Sequence, residues 1–171
     1  MILGERCWTI HELGSSGRLQ NRRMSTGYQQ NDPDRFLVNV VEYEGHPLAL
    51  RVRPSADTAE NRRAYSCLLL VTHELAQVLP NGLPESSYNQ SLTGFDQDVF
   101  RFLESEGDGV VALVETFAGK RTYYAYVDVG ATFKARVEEL RAKYPEHVVN
   151  VSHRVEVGWE TYQLYGKLYP W

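Results

Sequence analysis

Five histidines, His11, His46, His73, His147 and His153, are the first groups in this chain that could do acid–base or metal chemistry. The segment HELAQ at His73 begins like the zinc-protease helix motif, in which two histidines four residues apart share a metal. Gln77 stands where the second histidine would be, and the segment follows an apolar run, so no zinc site is expected. His147 and His153 fall on one face of an expected strand, yet six residues of strand separate them by about 20 Å, too far to share an ion. Solvated or hydrogen-bonded histidines are the expectation. Cys67 lies within AYSCLLLV, where a small thiol is buried rather than activated. It and Cys7 read as two separate thiols. No nucleophile elbow or dinucleotide fingerprint is present, and GSSGR lacks the lysine of a phosphate loop. No catalytic residue, metal or cofactor is assigned.

Two groups remain as candidates for binding. The first is acidic: Glu104, Glu106 and Asp108 gather at the end of an expected helix. Like charges near a helix C-terminus are electrostatically unfavourable, so the cluster points to a role outside stability, as an acidic contact patch. The second is aromatic. In VETFAGKRTYYAYVD, residues 114–128, alternation puts Tyr124 and Tyr126 on one face of a strand and Tyr123, Ala125 and Val127 on the other. The small and branched set suits a helix-covered face, which leaves Tyr124 and Tyr126 more exposed. YAYV matches the core of an RNA-recognition signature, in which strand aromatics stack on bases. The match then fails: Tyr123 replaces a glycine, Val129 replaces an aromatic, and AYSCLL lacks the companion motif. Nucleic acid is therefore disfavoured. Tyr124 and Tyr126, with Arg121 beside them, are assigned instead to packing or to a protein interface, where amphipathic tyrosine is favoured.

The elements that must position these groups follow from periodicity. FLVNVVEY alternates, EGHP turns and LALRVR alternates again, a hairpin with Gly45 and Pro47 at its bend. Leu68 to Val71 read as a strand buried on both faces. After PNGLP, the spacing of Leu92, Phe95, Val99, Phe102 and Leu103 predicts a helix with Pro84 near its start and Gly94 weakening its first turns. GVVALVETF and KRTYYAYVDV then form a hairpin turning at Ala118 and Gly119. Phe133, Val137, Leu140 and Tyr144 give a second helix, stopped by Pro145, and HVVNVSHRVEV is the last strand. The predicted fold is α+β: a ferredoxin-like split βαββαβ sandwich with an additional N-terminal β-hairpin, an antiparallel sheet with two helices on one face.

Residues 1–34 carry turn and linker chemistry and are read as an irregular extension, with Met24 as an alternative natural start; residues 35–171 are read as one domain. A chain of 171 residues can bury roughly 70% of its unfolded surface without staples. Mean hydropathy of −0.41 and the lack of a long apolar run argue against a membrane span. The opening segment has no apolar run of signal-peptide length, which predicts a cytoplasmic protein. A net charge of −4 disfavours broad phosphate-backbone binding and suits a basic partner.

ALVETFAGKRTYYAYV, the upstream NGLP and the closing GWETYQLYGKLYP together resemble the bacterial family catalogued as domain of unknown function 695, over roughly Phe36 to Pro170. The resemblance implies an α+β fold, with members sometimes joined to a domain like the regulator of ribonuclease E activity B. It supplies no catalytic residues. Trp159, Tyr162, Tyr169 and Pro170 match the family's C-terminal pattern and are expected to lock the tail onto the sheet. The function expected is a non-enzymatic protein-binding regulator or inhibitor, such as a ribonuclease regulator or toxin-immunity protein. The alternatives are a small-molecule sensor or enzyme with a pocket between the sheet and the N-terminal hairpin, and a homodimeric scaffold.

Overall fold

Two two-residue turns define the hairpins. Glu44 and Gly45 both have positive φ (51° and 78°), as do Ala118 and Gly119 (47° and 80°). This is the turn geometry whose twist matches that of the flanking strands. The first joins β1 (Leu37–Tyr43) to β2 (His46–Val52), and the second joins β4 (Gly109–Phe117) to β5 (Lys120–Val127). Pro47 is tolerated inside β2 because pairing with β4 begins only at Ala49, so its missing N–H breaks no ladder. The computed structural model describes residues 35–130 and 133–171. The expected extension, with Met24, Cys7 and His11, lies outside them.

Between and after the hairpins come α1 (Ala59–Ala64), β3 (Cys67–Glu74), α2 (Ser86–Ser91), α3 (Thr93–Glu104), α4 (Phe133–Lys143), β6 (Val149–Val155) and α5 (Glu160–Leu168). The strands form one six-stranded sheet in the order β1-β2-β4-β5-β3-β6, with every neighbouring pair antiparallel. The chain is thus a mixed α+β protein. Thr58 caps α1, accepting from the Asn61 N–H at 3.0 Å. The first turns of the helix expected after PNGLP form a separate α2, which ends at Ser91. Among the described residues no helix is long and apolar enough to cross a membrane.

Alternation sorts the strands onto two cores. Leu69, Val71, Val111, Val114, Tyr123 and Ala125 pack under Phe95, Val99 and Leu103 of α3 and Phe133 and Leu140 of α4. Leu48, Leu50, Val52, Leu68, Leu113 and Tyr126 pack against Trp159, Tyr162, Tyr165 and Tyr169. The expectation of helices on one face only is therefore corrected: α5 covers the other. In β4 the register slips between Val111 and Leu113, a bulge at Ala112 that lets Ala112 and Leu113 share one face. Gly109 opens β4 where a Cβ would stand 2.7 Å from Val127 Cγ1 and 2.9 Å from the Leu103 carbonyl, so only glycine fits.

Candidate binding groove

Cross-strand register lays two rows of side chains across the α3 face of the sheet. One runs Val40, Ala49, Thr116, Arg121, His73, Val149; the next runs Val38, Arg51, Val114, Tyr123, Val71, Val151. Helices α3 and α4 cover the β3, β5 and β6 end. Over β1 and β2 the same face stays open, leaving a groove of about 550 Å³ whose floor is Val38, Ala49, Arg51 and Thr116. Its wall comes from Leu83 and Pro84, and from Gln90, Thr93, Gln97 and Phe100 on α2 and α3.

At the foot of that wall Asp96 of α3 gathers three donors. Arg51 Nη2 reaches it at 3.1 Å, Arg121 Nη1 at 3.0 Å, and the Tyr123 hydroxyl also donates to it. Arg121 further donates from Nε to Thr116 Oγ1 at 3.3 Å and from Nη2 to Asn89 Oδ1. Its guanidinium is therefore held on all sides, with only 6% of the side chain exposed. Burial, followed by the Asp96 charge, drives the Tyr123 hydroxyl well above the usual range, so it remains a donor. Two guanidinium groups share one carboxylate, and the surplus positive charge reaches solvent through Arg51, whose side chain is 31% exposed.

Further along the first row, His73 Nε2 meets His147 Nδ1 at 2.9 Å, with the Phe95 ring packed on both. Burial, then the nearby charges of His147 and Arg121, hold His73 down to about 4. His147 precedes β6 instead of lying within it, which corrects its expected place in the last strand, while His153 packs on Phe133 at 5.2 Å. Among the described residues no three His, Cys, Asp or Glu side chains gather where they could hold a metal. Cys67 is buried, and burial pushes its thiol up.

The aromatic candidates lie on the opposite face. Tyr126, expected to be open, is 1% exposed and stacks on Trp159 with ring centroids 3.8 Å apart and planes 7° from parallel. Its hydroxyl donates to Glu156 Oε1 at 2.6 Å. The Tyr124 hydroxyl lies 2.9 Å from that of Tyr165, which donates to Glu115; burial raises both Tyr124 and the Glu115 carboxyl. Arg121 shares a face with Tyr123, so the sheet separates it from Tyr124 and Tyr126, and the three do not form one surface.

The acidic candidates divide between two arginines. Glu104 pairs with Arg53 at 2.7 Å and accepts from the Val111 N–H at 2.8 Å; Glu106 and Asp108 hold Arg136 at 3.3 and 2.6 Å. Their unfavourable position at a helix end is thereby offset, and they tie the α3–β4 connection to β2 and α4. Trp159, Tyr162 and Tyr169 are buried, whereas Pro170 is exposed. Trp159 Nε1 donates to the Tyr65 carbonyl at 2.8 Å, and the Tyr162 hydroxyl to the Arg53 carbonyl at 3.2 Å.

Asp96, Arg51, Asn89 and Thr116 are the groove residues that sequence reasoning missed. The available signal was Arg51 alternating with Leu50 and Val52, a charge on the face opposite those core residues. Residues 36–165 match the sequence model of a family described as "Family of unknown function (DUF695)". Comparison with curated proteins finds no match, and comparison with solved structures finds none either.

Proposed function

Because the chain belongs to the DUF695 family, whose function is unknown, its role must be argued from its own surfaces, and we propose that it is a non-enzymatic binding protein that regulates or inhibits another protein. The observation that carries this reading is the open groove beside the β1–β2 hairpin. Its floor carries Ala49 and exposed Val38, and its wall carries Gln90, Thr93 and Gln97. Amide side chains both donate and accept, which matches the alternating N–H and C=O groups of a polypeptide segment. The Arg51–Asp96–Arg121 cluster beneath is pre-ordered by its own bonds, so binding costs little further ordering. Net charge of −4 would steer a basic partner at long range, with an acidic or carbonyl group of the docked segment meeting Arg51, and a ribonuclease or toxin in the cytoplasm is the class we favour. The strand order β4-β5-β3-β6 with α3 and α4 as connections supports reading that part as a ferredoxin-like unit extended by the β1–β2 hairpin.

The test is capture from the source lysate after nuclease treatment, with wild-type protein and a folded Thr93→Arg variant that fills the groove mouth. A partner held by wild type and lost by the variant supports the groove. Equal retention by both would discard the groove, and no retention by either would discard the binding reading. A second reading is favoured by size, since about 550 Å³ falls within the range of small-molecule sites. Native mass spectrometry would then find the protein heavier than its 19.6 kDa chain by one bound metabolite.

A further inference from the structure

The outer edge of β1 is free of any described strand, because β1 ends the sheet. Natural edge strands are blunted by proline, lysine, bulges or shortness. β1 (LVNVVEY) has none of these: it contains neither proline nor lysine, and its seven residues pair with β2 without a break. Val38 and Val40 on it are 68% and 46% exposed. The two-residue turn makes Tyr43 and His46 a hydrogen-bonded pair, and alternation then directs the N–H and C=O of Val38, Val40 and Glu42 outward.

We infer that this edge pairs with β1 of a second copy of the chain, antiparallel about a twofold axis at Val40. That register sets Val40 against Val40 and Val38 against Glu42, so the free backbone groups meet one another in about six interchain hydrogen bonds. Side chains complete the match. Val38 already faces Arg51 across the hairpin. Glu42 of the second copy therefore lies about 10 Å, Cα to Cα, from Arg51, within the combined reach of the two side chains. Arg51 is the surplus cation of the groove, since it and Arg121 share the single carboxylate of Asp96. The twofold axis repeats the Glu42–Arg51 pair. On the other face Leu37 meets Tyr43 and Asn39 meets Val41. The opposite edge lacks this fit: the same operation about Val151 of β6, whose backbone groups face outward, sets Asn150 beside Ser152 and Arg154 beside Val148, without a charge pair. Paired side chains share a face in an antiparallel sheet, so both grooves open on the same side of one continuous twelve-strand sheet.

The test is light scattering with sedimentation over a wide concentration range, on the full chain. Wild type is expected at twice its 19.6 kDa mass. Val40→Pro removes an outward N–H and leaves the β1–β2 ladder whole, so a folded variant is expected at the single-chain mass. Glu42→Arg sets like charges together and is expected to raise the dimer dissociation constant about tenfold or more; it also serves if the proline variant fails to fold. A wild type that stays monomeric throughout overturns the inference, as does a dimer that either folded variant leaves unchanged. These outcomes are independent of partner capture, because self-association is read on the isolated protein.

Discussion

Acidification should weaken this protein through one histidine. His73 is 1% exposed, packed between Phe95 and His147, and faces Arg121 and Asp96. Burial and the charges of His147 and Arg121 oppose its cation, Asp96 favours it, and the outcome is a folded value of about 4 against an ordinary 6.5. As pH falls through 6.5 the unfolded chain takes up this proton first, so the unfolded state gains stability relative to the folded one. The loss starts near pH 6.5 and is complete below about 4. Its ceiling is about 3 kcal/mol at about 1.4 kcal/mol per unit. At pH 4.5 nearly two units of it are spent, on the order of 2 kcal/mol. For a chain of this size that is a fall in Tm of about 4–8 °C. The assay is urea unfolding from pH 7.5 to 4.5 for wild type and His73→Leu. The leucine variant starts from a lower stability, since His147 loses its partner, but its curve should be flatter by about 2 kcal/mol over that interval. Taking the difference between the two proteins removes the other acid-sensitive groups, such as Asp98 and Glu156, whose carboxyls are both held low. Parallel curves would refute the reasoning.

Two further perturbations probe the faces of the sheet separately. Trp159→Ala removes the ring stacked on Tyr126 and the bond to the Tyr65 carbonyl; a cost of about 3–5 kcal/mol is expected, read from the urea midpoint, and a loss below 1 would contradict the packing described. Asp96→Asn leaves Arg51 and Arg121 without their carboxylate. Breaking such a partly buried pair should cost about 3 kcal/mol in the same assay, and an unchanged midpoint would mean that the arginines find other acceptors.

Local chemistry was legible where it was self-sufficient. Ala118 and Gly119 between two apolar-rich runs specify their hairpin without help from the rest of the chain; in the first hairpin Glu44 and Gly45 make the turn, and His46 and Pro47, expected at the bend, belong to β2. The spacing of Phe95, Val99 and Leu103 specifies the buried stripe of α3. Tyr124 and Tyr126 were misjudged because exposure depends on what lies over a strand, and that cover is distant in sequence. Their cover is α5 with its C-terminal cap, where Tyr162, Tyr165 and Tyr169 recur at three and four residues, a helical spacing hidden in a segment that looked like a tail. Arg121 was grouped with the wrong tyrosines, although its parity with Tyr123 was readable. The groove could not be read at all without strand order. Arg51 and Arg121 become neighbours only because β4 lies between β2 and β5.

The bulge in β4 acts as a reading frame for the groove. Ala112 is one residue more than the pairing with β5 uses, and everything beyond it keeps its face because of that surplus. Thr116 reaches the groove floor beside Arg121, and Glu115 is sent to the opposite side beneath Tyr165. Were Ala112 taken into regular pairing instead, with the preceding strand held in register, Glu115 would stand opposite Arg121 and would exchange faces with Thr116. A carboxylate would then face Arg121 in competition with Asp96, and a threonine would stand among the tyrosines. The chemical character of the groove is thus set by where the ladder sheds its extra residue as much as by residue identity.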